Sequence, residues 1–186
     1  MLAQQCGLLH LELTPDRHQV ALFNTGRKKS VISTSIRGEK VDNAIGLDPN
    51  ASFHAYEFWS DTYLGKLPGT GLVAQTLMPT RCAMVSLRKA LPHPQVISTD
   101  RHILQGWVEL RDVEWNAESR VLSGVAKVIG DEPFKIVIAD NGHKAGNATA
   151  TGAESDLNAH PAAAGLSALT LSSVDNAEVK WELKYK

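Results

Sequence analysis

The chain has 186 residues, of which 43% are hydrophobic, and a formal net charge of −1. This charge gives no reason to expect a nucleic acid or an anionic membrane as partner. No apolar run approaches the ~18 residues that a membrane-spanning helix needs. Residues 1–9 also lack the basic start and long apolar core of a signal peptide. The length and composition fit one large domain or two small ones, each with its own core.

Short alternating segments separated by turn residues predict strands throughout the first half of the chain. They cover residues 9–13, 18–24, 30–36, 53–65 (a hairpin), 71–77 and 81–88. The run Asn24-Thr-Gly-Arg predicts a hairpin between the second and third strands, in which Gly26 is free to take a positive φ. Residues 39–47 have room for one helical turn that ends at Gly46. Since no helix is long enough for a parallel crossover, an antiparallel sandwich is expected.

Two prolines, Pro92 and Pro94, mark the clearest boundary in the sequence, because each fixes its own φ and restricts the preceding residue to extended backbone. The predicted domains are residues 1–91 and residues 92–186. Their formal charges are +3 and −4, which could help the two domains to associate but is too small to indicate a partner.

The second half also has the pattern of strands. They are predicted at residues 103–115, 120–129, 134–139, 166–171 and 178–185. The segment 145–165 is poor in large apolar residues, so mobility or a weak edge strand is expected there. Trp181, Leu183 and Tyr185 share one face, which predicts that the last strand is docked. The predicted fold class is all-β, with two consecutive antiparallel β-sandwich domains of Ig-like or Greek-key type.

Three short motifs occur in an order that is known from one enzyme family. They are Ala21-Leu-Phe-Asn-Thr-Gly, then Gly46-Leu-Asp-Pro, then Phe58-Trp-Ser-Asp with Leu64-Gly. In this the chain resembles the C-terminal β-sandwich region of α-galactosidase-like (melibiase-related) glycoside hydrolases. The segment 98–106 and the strands that follow it resemble a further C-terminal sandwich in bacterial members. The resemblance covers most of residues 18–140.

The resemblance implies a non-catalytic accessory region that stabilises or assembles a parent enzyme. In that family two carboxylates about 5 Å apart hydrolyse the glycoside, and they lie in a (β/α)₈ barrel N-terminal to the sandwich. A barrel of about 250 residues is absent from this chain, so no catalytic residue has a counterpart here. The missing barrel is the expected partner. Secretion or a periplasmic location is one alternative for the parent. A free-standing β-sandwich interaction protein is the rival hypothesis.

Local patterns of catalytic or metal-binding residues point to no enzyme or metal site. The seven histidines show no zinc-ligand spacing, and no cofactor motif is present. Asp131 and Glu132, adjacent acids before a proline, are interpreted as a solvated turn. Cys82 is expected to be a buried free thiol, with a bridge to Cys6 as an alternative.

Aromatic side chains offer one binding hypothesis for the isolated chain, because a sugar ring can stack on an exposed Trp or Tyr. The carbohydrate-binding candidates are Trp59, Tyr63 and Trp107. Large aromatics more often lie in a core or a domain seam, and Trp59 is therefore expected to be such an anchor.

A second polar candidate is the cluster Asp100, Arg101 and His102, which follows the proline boundary. These side chains are predicted to form a hydrogen-bonded contact between the two domains.

Overall fold

The computed structural model of the chain describes residues 6–38, 44–161 and 163–186. Within these ranges there are fifteen strands and no helix, and all named strand pairs are antiparallel. The chain divides into two units, Met1–Ala90 and Leu91–Lys186, and the predicted boundary at Leu91 lies beside this division. The predicted all-β fold class is confirmed.

The first unit contains seven of the described strands. They are β1 (Cys6–Thr14), β2 (Arg17–Asn24), β3 (Ser30–Ser35), β4 (Ser52–Glu57), β5 (Thr62–Pro68), β6 (Leu72–Leu77) and β7 (Cys82–Lys89). Five strands form one sheet in the order β1-β2-β7-β4-β5, and β3 pairs with β6 in a second sheet. Apolar side chains from both sheets share one core, which includes Val20, Leu22, Ile32, Phe53, Val73 and Val85. The predicted hairpin at residues 53–65 is confirmed, since β4 pairs with β5.

The predicted hairpin between β2 and β3 is wrong. β2 pairs with β1 and β7, whereas β3 belongs to the other sheet, so the chain crosses between the sheets after Asn24. The Asn24 side-chain Nδ2 donates hydrogen bonds to the carbonyls of Lys28 (2.9 Å) and Leu77 (2.8 Å), which fixes this crossing. Gly26 does not have a positive φ.

The predicted helical turn at residues 39–47 lies largely outside the described residues. Beyond that gap, Ala44 forms a single parallel bridge with Ser35, and Gly46 has a φ of 82°.

The second unit contains the other eight described strands. They are β8 (Gln95–Thr99), β9 (Leu110–Asn116), β10 (Val121–Val128), β11 (Phe134–Ala139), β12 (Ala145–Ala150), β13 (Glu154–Ala159), β14 (Leu166–Ser172) and β15 (Ala177–Tyr185). They form two four-stranded sheets, β12-β15-β10-β9 and β13-β14-β11-β8. Trp181, Leu183 and Tyr185 are all buried in the core of this unit, so the predicted docking of the last strand is confirmed.

Two other segments of the second unit bear on the predictions. The strand predicted from residue 103 begins only at Leu110, because Gln105 and Gly106 have φ values of 49° and 91° and form turns. The prediction is therefore wrong for residues 103–109. The segment 145–165 contains two edge strands, β12 and β13, which is one of the two expected outcomes.

Candidate functional site

A shallow groove in the first unit lies between the β4–β5 turn and the β6–β7 connection. Its volume is about 350 Å³. The turn contributes Trp59 and Ser60, and the opposite wall contains Gln75, Met78, Arg81 and Cys82. Both walls belong to the first unit. Hydrogen bonds attach the turn that carries Trp59 to β7.

The buried carboxylate of Glu57 holds the β4–β5 turn in place. Its Oε1 accepts a hydrogen bond from the backbone N–H of Met84 (3.0 Å). Its Oε2 accepts from both the backbone N–H and the hydroxyl of Ser60, at 2.7 Å each. Glu57 is 3% exposed, and these three bonds compensate for the burial of a carboxylate. Glu57 therefore supports the groove rather than offering a free carboxylate to it.

A further hydrogen bond fixes the second half of the turn. The Tyr56 hydroxyl donates to Asp61 Oδ1 at 2.7 Å. Asp61 has a φ of 52°, a left-handed conformation that Asp tolerates better than most residues. The Phe58 backbone N–H donates to the carbonyl of Met84 at 2.9 Å. The backbone on both sides of Trp59 is thus attached to its surroundings.

Trp59 is the exposed aromatic residue of the groove. Its side chain is 59% exposed, and Phe58 contacts it edge to face with ring centroids 5.0 Å apart. The expectation that Trp59 is an anchor in the core is wrong, whereas its alternative place in a domain seam stays a prediction. The reason is that β4 ends at Glu57, so the in-and-out alternation of the strand stops before Trp59.

The opposite wall brings a cation and an amide to the same groove. Arg81 is exposed, and its backbone is held by bonds from Arg81 N–H to the Met78 carbonyl (3.2 Å) and from Asn24 N–H to the Arg81 carbonyl (2.9 Å). Among the described residues its guanidinium forms no ion pair. Gln75 is half-buried on β6. Sequence reasoning missed both residues, and only the alternation of β6 and the turn at Met78-Pro-Thr indicated where this wall would be.

The other two carbohydrate-binding candidates lie elsewhere. The Tyr63 hydroxyl is 2.8 Å from His54 Nδ1, burial raises its pKa, and Tyr63 does not line the groove. Trp107 belongs to the second unit, in the turn segment before β9, and is 41% exposed. Of the three, the structure places Trp59 alone in the groove.

The side chains of Asp100, Arg101 and His102 have partners inside the second unit. Asp100 Oδ1 accepts from the Lys135 N–H (3.0 Å). Arg101 donates to the Glu132 carbonyl (3.1 Å), and His102 Nδ1 accepts from the Leu104 N–H (3.1 Å). Burial raises the pKa of Asp100. Their role between the two units stays a prediction.

A second polar cluster surrounds Asp140 at one end of the second unit. Its carboxylate, 7% exposed, accepts hydrogen bonds from the Tyr185 hydroxyl (2.9 Å) and the Ser167 hydroxyl (3.0 Å). The rings of Trp115 and His143 lie 5.6 and 6.1 Å from that of Tyr185. Both oxygens of Asp140 are used to attach neighbouring strands, so the cluster is structural.

The pH dependence of the second unit is expected to change in Asp140→Asn. Burial raises the pKa of Asp140 above its ordinary value of 3.8, although the bonds from Tyr185 and Ser167 oppose this. A raised carboxyl pKa contributes stability that is complete below the unfolded pKa and is lost as the pH rises through the folded pKa. Asn carries no charge: its Oδ1 can accept from one of the two hydroxyls, and its Nδ2 can donate to the oxygen of the other. Urea unfolding followed between pH 3 and 8 should therefore show a smaller loss of stability with rising pH in the variant. An unchanged slope would contradict this.

The described part of the chain contains no group of three or more His, Cys, Asp or Glu side chains arranged to hold a metal ion. Within the same residues no helix is long and apolar enough to cross a membrane. Cys82 is a free, half-buried thiol among the described side chains, and the side chain of Cys6 lies outside them.

The fold and the groove define an all-β protein of two sandwich units, the first of which presents an exposed aromatic residue beside Arg81, a cation without an ion pair among the described residues. No protein-family model matches the chain, and no curated protein matches it in sequence. Function is therefore inferred from the residues and their geometry.

Proposed function

We propose that this chain is a non-catalytic accessory region of an α-galactosidase-like glycoside hydrolase, which it stabilises or assembles. The observation that supports the proposal is the structural role of the motif residues in the first unit. Asn24, from the first motif, fixes the crossing between the sheets. Asp48, from the second, caps its own turn by accepting from the Asn50 N–H at 2.8 Å. Ser60 and Asp61, from the third, hold the β4–β5 turn.

These structural roles explain why the three short motifs are informative when they are taken together. Asn24 satisfies backbone carbonyls at the crossing between the sheets, and substitutes of other chemistry would leave these carbonyls unpaired. Asp48, Ser60 and Asp61 each hold a turn at a particular point of the sandwich. An unrelated sandwich has no physical reason to place the same residue types in the same order. The resemblance therefore rests on residues that determine the backbone, and it brings no catalytic residue with it.

The purified chain is expected not to hydrolyse p-nitrophenyl α-galactoside. Retaining glycosidases need an acid/base and a nucleophile carboxylate about 5 Å apart, and the proposed parent supplies both from its barrel. The release of p-nitrophenol should equal that of a sample without protein, with a commercial α-galactosidase as the positive control. Turnover that follows the chain through purification would overturn the assignment.

The reading frame upstream of Met1 offers an independent test. The proposal expects about 250 or more residues with eight strand–helix repeats, as a barrel requires, and two acids at the ends of its strands. A stop codon directly upstream would favour the rival hypothesis of a free-standing interaction protein.

A further inference from the structure

We propose that the groove lined by Trp59, Gln75 and Arg81 binds one pyranose ring of a saccharide. The inference deepens the proposed function by giving the first unit a ligand class. It rests on the proposed function only for the choice of galactose as first probe, since the class of ligand follows from the groove itself.

The aromatic component of such a site is present and held in position. A pyranose ring has a less polar face of C–H groups, which packs on the flat face of an indole. Trp59 offers most of its side chain to solvent, and its orientation is restrained by the edge-to-face contact with Phe58. The bonds of Glu57 keep the turn on β7. Little conformational entropy would therefore be lost on binding.

The polar component lies on the opposite wall. Sugar hydroxyls need donors and acceptors at the rim of the ring, and a guanidinium together with an amide supplies both. Arg81 and Gln75 line the same groove as Trp59. Neither the guanidinium nor the amide is engaged by another described side chain, so both groups can turn to a ligand.

The size of the groove suits a single sugar ring. A volume of about 350 Å³ is near the lower end for ligand sites, roughly 300–1,000 Å³, which suits one ring. The groove is open, so the ligand keeps part of its hydration, as a sugar in a chain does. The carboxylate of Glu57 is buried and already accepts three hydrogen bonds from the protein, so it offers little to a cationic ligand.

The test follows the four indole N–H signals of the ¹⁵N-labelled chain during titration with methyl α-galactopyranoside and, separately, methyl α-glucopyranoside. The Trp59 signal should shift saturably in the millimolar range with at least one of them. The signals of Trp107, Trp115 and Trp181 act as internal references for an intact fold. In Trp59→Phe the signal that shifts should be missing from the spectrum. Its loss also assigns that signal to Trp59.

Variants locate the site, and calorimetry measures binding where the Trp59 signal is lost. Trp59→Ala should abolish binding, and Arg81→Ala should weaken it about tenfold, as expected for a hydrogen bond to a charged group. The matched control Trp107→Ala, which removes the exposed tryptophan of the other unit, should bind as well as the unaltered chain.

The outcomes separate this inference from the proposed function. Saturation by either glycoside supports the sugar site, and a preference for the galactoside would also agree with the proposed parent. No saturable shift with either probe would overturn the sugar site and leave the accessory function untouched. Binding that persists in Trp59→Ala would overturn it as well. Hydrolysis of p-nitrophenyl α-galactoside would contradict only the proposed function.

Discussion

Replacing Asn24 with Ala should destabilise the first unit by about 2–4 kcal/mol, because two carbonyl groups lose their donor. Asn24 is 1% exposed, and its Nδ2 bridges Lys28 and Leu77 across the crossing between the sheets. Its Oδ1 also accepts from the Gly26 N–H at 3.0 Å. The loss should appear as faster hydrogen exchange of the β6 and β7 amides, which reports on this unit separately from the other.

The chemistry of the bridge can be separated from its shape with Asn24→Asp. The carboxylate has nearly the same size but cannot donate to the two carbonyls, and it would add a buried charge. Asn24→Asp should therefore be more destabilising than Asn24→Ala at neutral pH. The matched control is Asn50→Ala, an exposed asparagine of the same unit, which should change stability by less than about 0.5 kcal/mol. Equal effects of the variants at positions 24 and 50 would contradict the bridging role.

The variant Gly124→Ala should destabilise the second unit by about 1–3 kcal/mol through overpacking. Gly124 on β10 lies directly opposite Trp181 on β15. A methyl group there would come within 2.8 Å of Trp181 Cζ2 and 3.1 Å of Val113 Cγ2. Trp181 is 1% exposed and packs in the core of this unit. Exchange of the β10 and β15 amides in increasing urea measures the effect.

A double-mutant cycle shows whether the indole causes this effect. Trp181→Phe removes the ring atom that lies nearest to the new methyl group, so the double variant should lose less stability than the two single changes together. The expected coupling is at least about 0.5 kcal/mol. Strictly additive losses would mean that Gly124 is required for another reason, such as the contact with Val113.

The strands themselves were largely predictable, because burial follows local alternation. Trp181, Leu183 and Tyr185 show this, since a period of two is enough to place them on one face. Strand partners were less predictable. The run after Asn24 has turn residues suitable for a hairpin. The side-chain amide of Asn24, however, donates to the carbonyl of Leu77, and this long-range bond directs the chain into the other sheet.

The candidate site was predictable only in part, because the local sequence marks Trp59 but not the residues that folding brings beside it. Trp59 stands out in the sequence because tryptophan is rare and lies next to turn residues. Its exposure depends on where β4 ends, which is decided by the bonds between Glu57, Ser60 and Met84. Arg81 approaches Trp59 only through pairing in the folded sheets. Its own neighbourhood in the sequence contains no signal for a binding residue.

The central position of β15 has a consequence for the order in which the chain can fold during synthesis. β15 pairs with β10 on one side and β12 on the other, and it contributes Trp181, Leu183 and Tyr185 to the core. The sheet of the second unit therefore cannot close until residues 177–185 have left the ribosome. All the described strands of the first unit are complete by Lys89, so that unit can form while the second is still being translated.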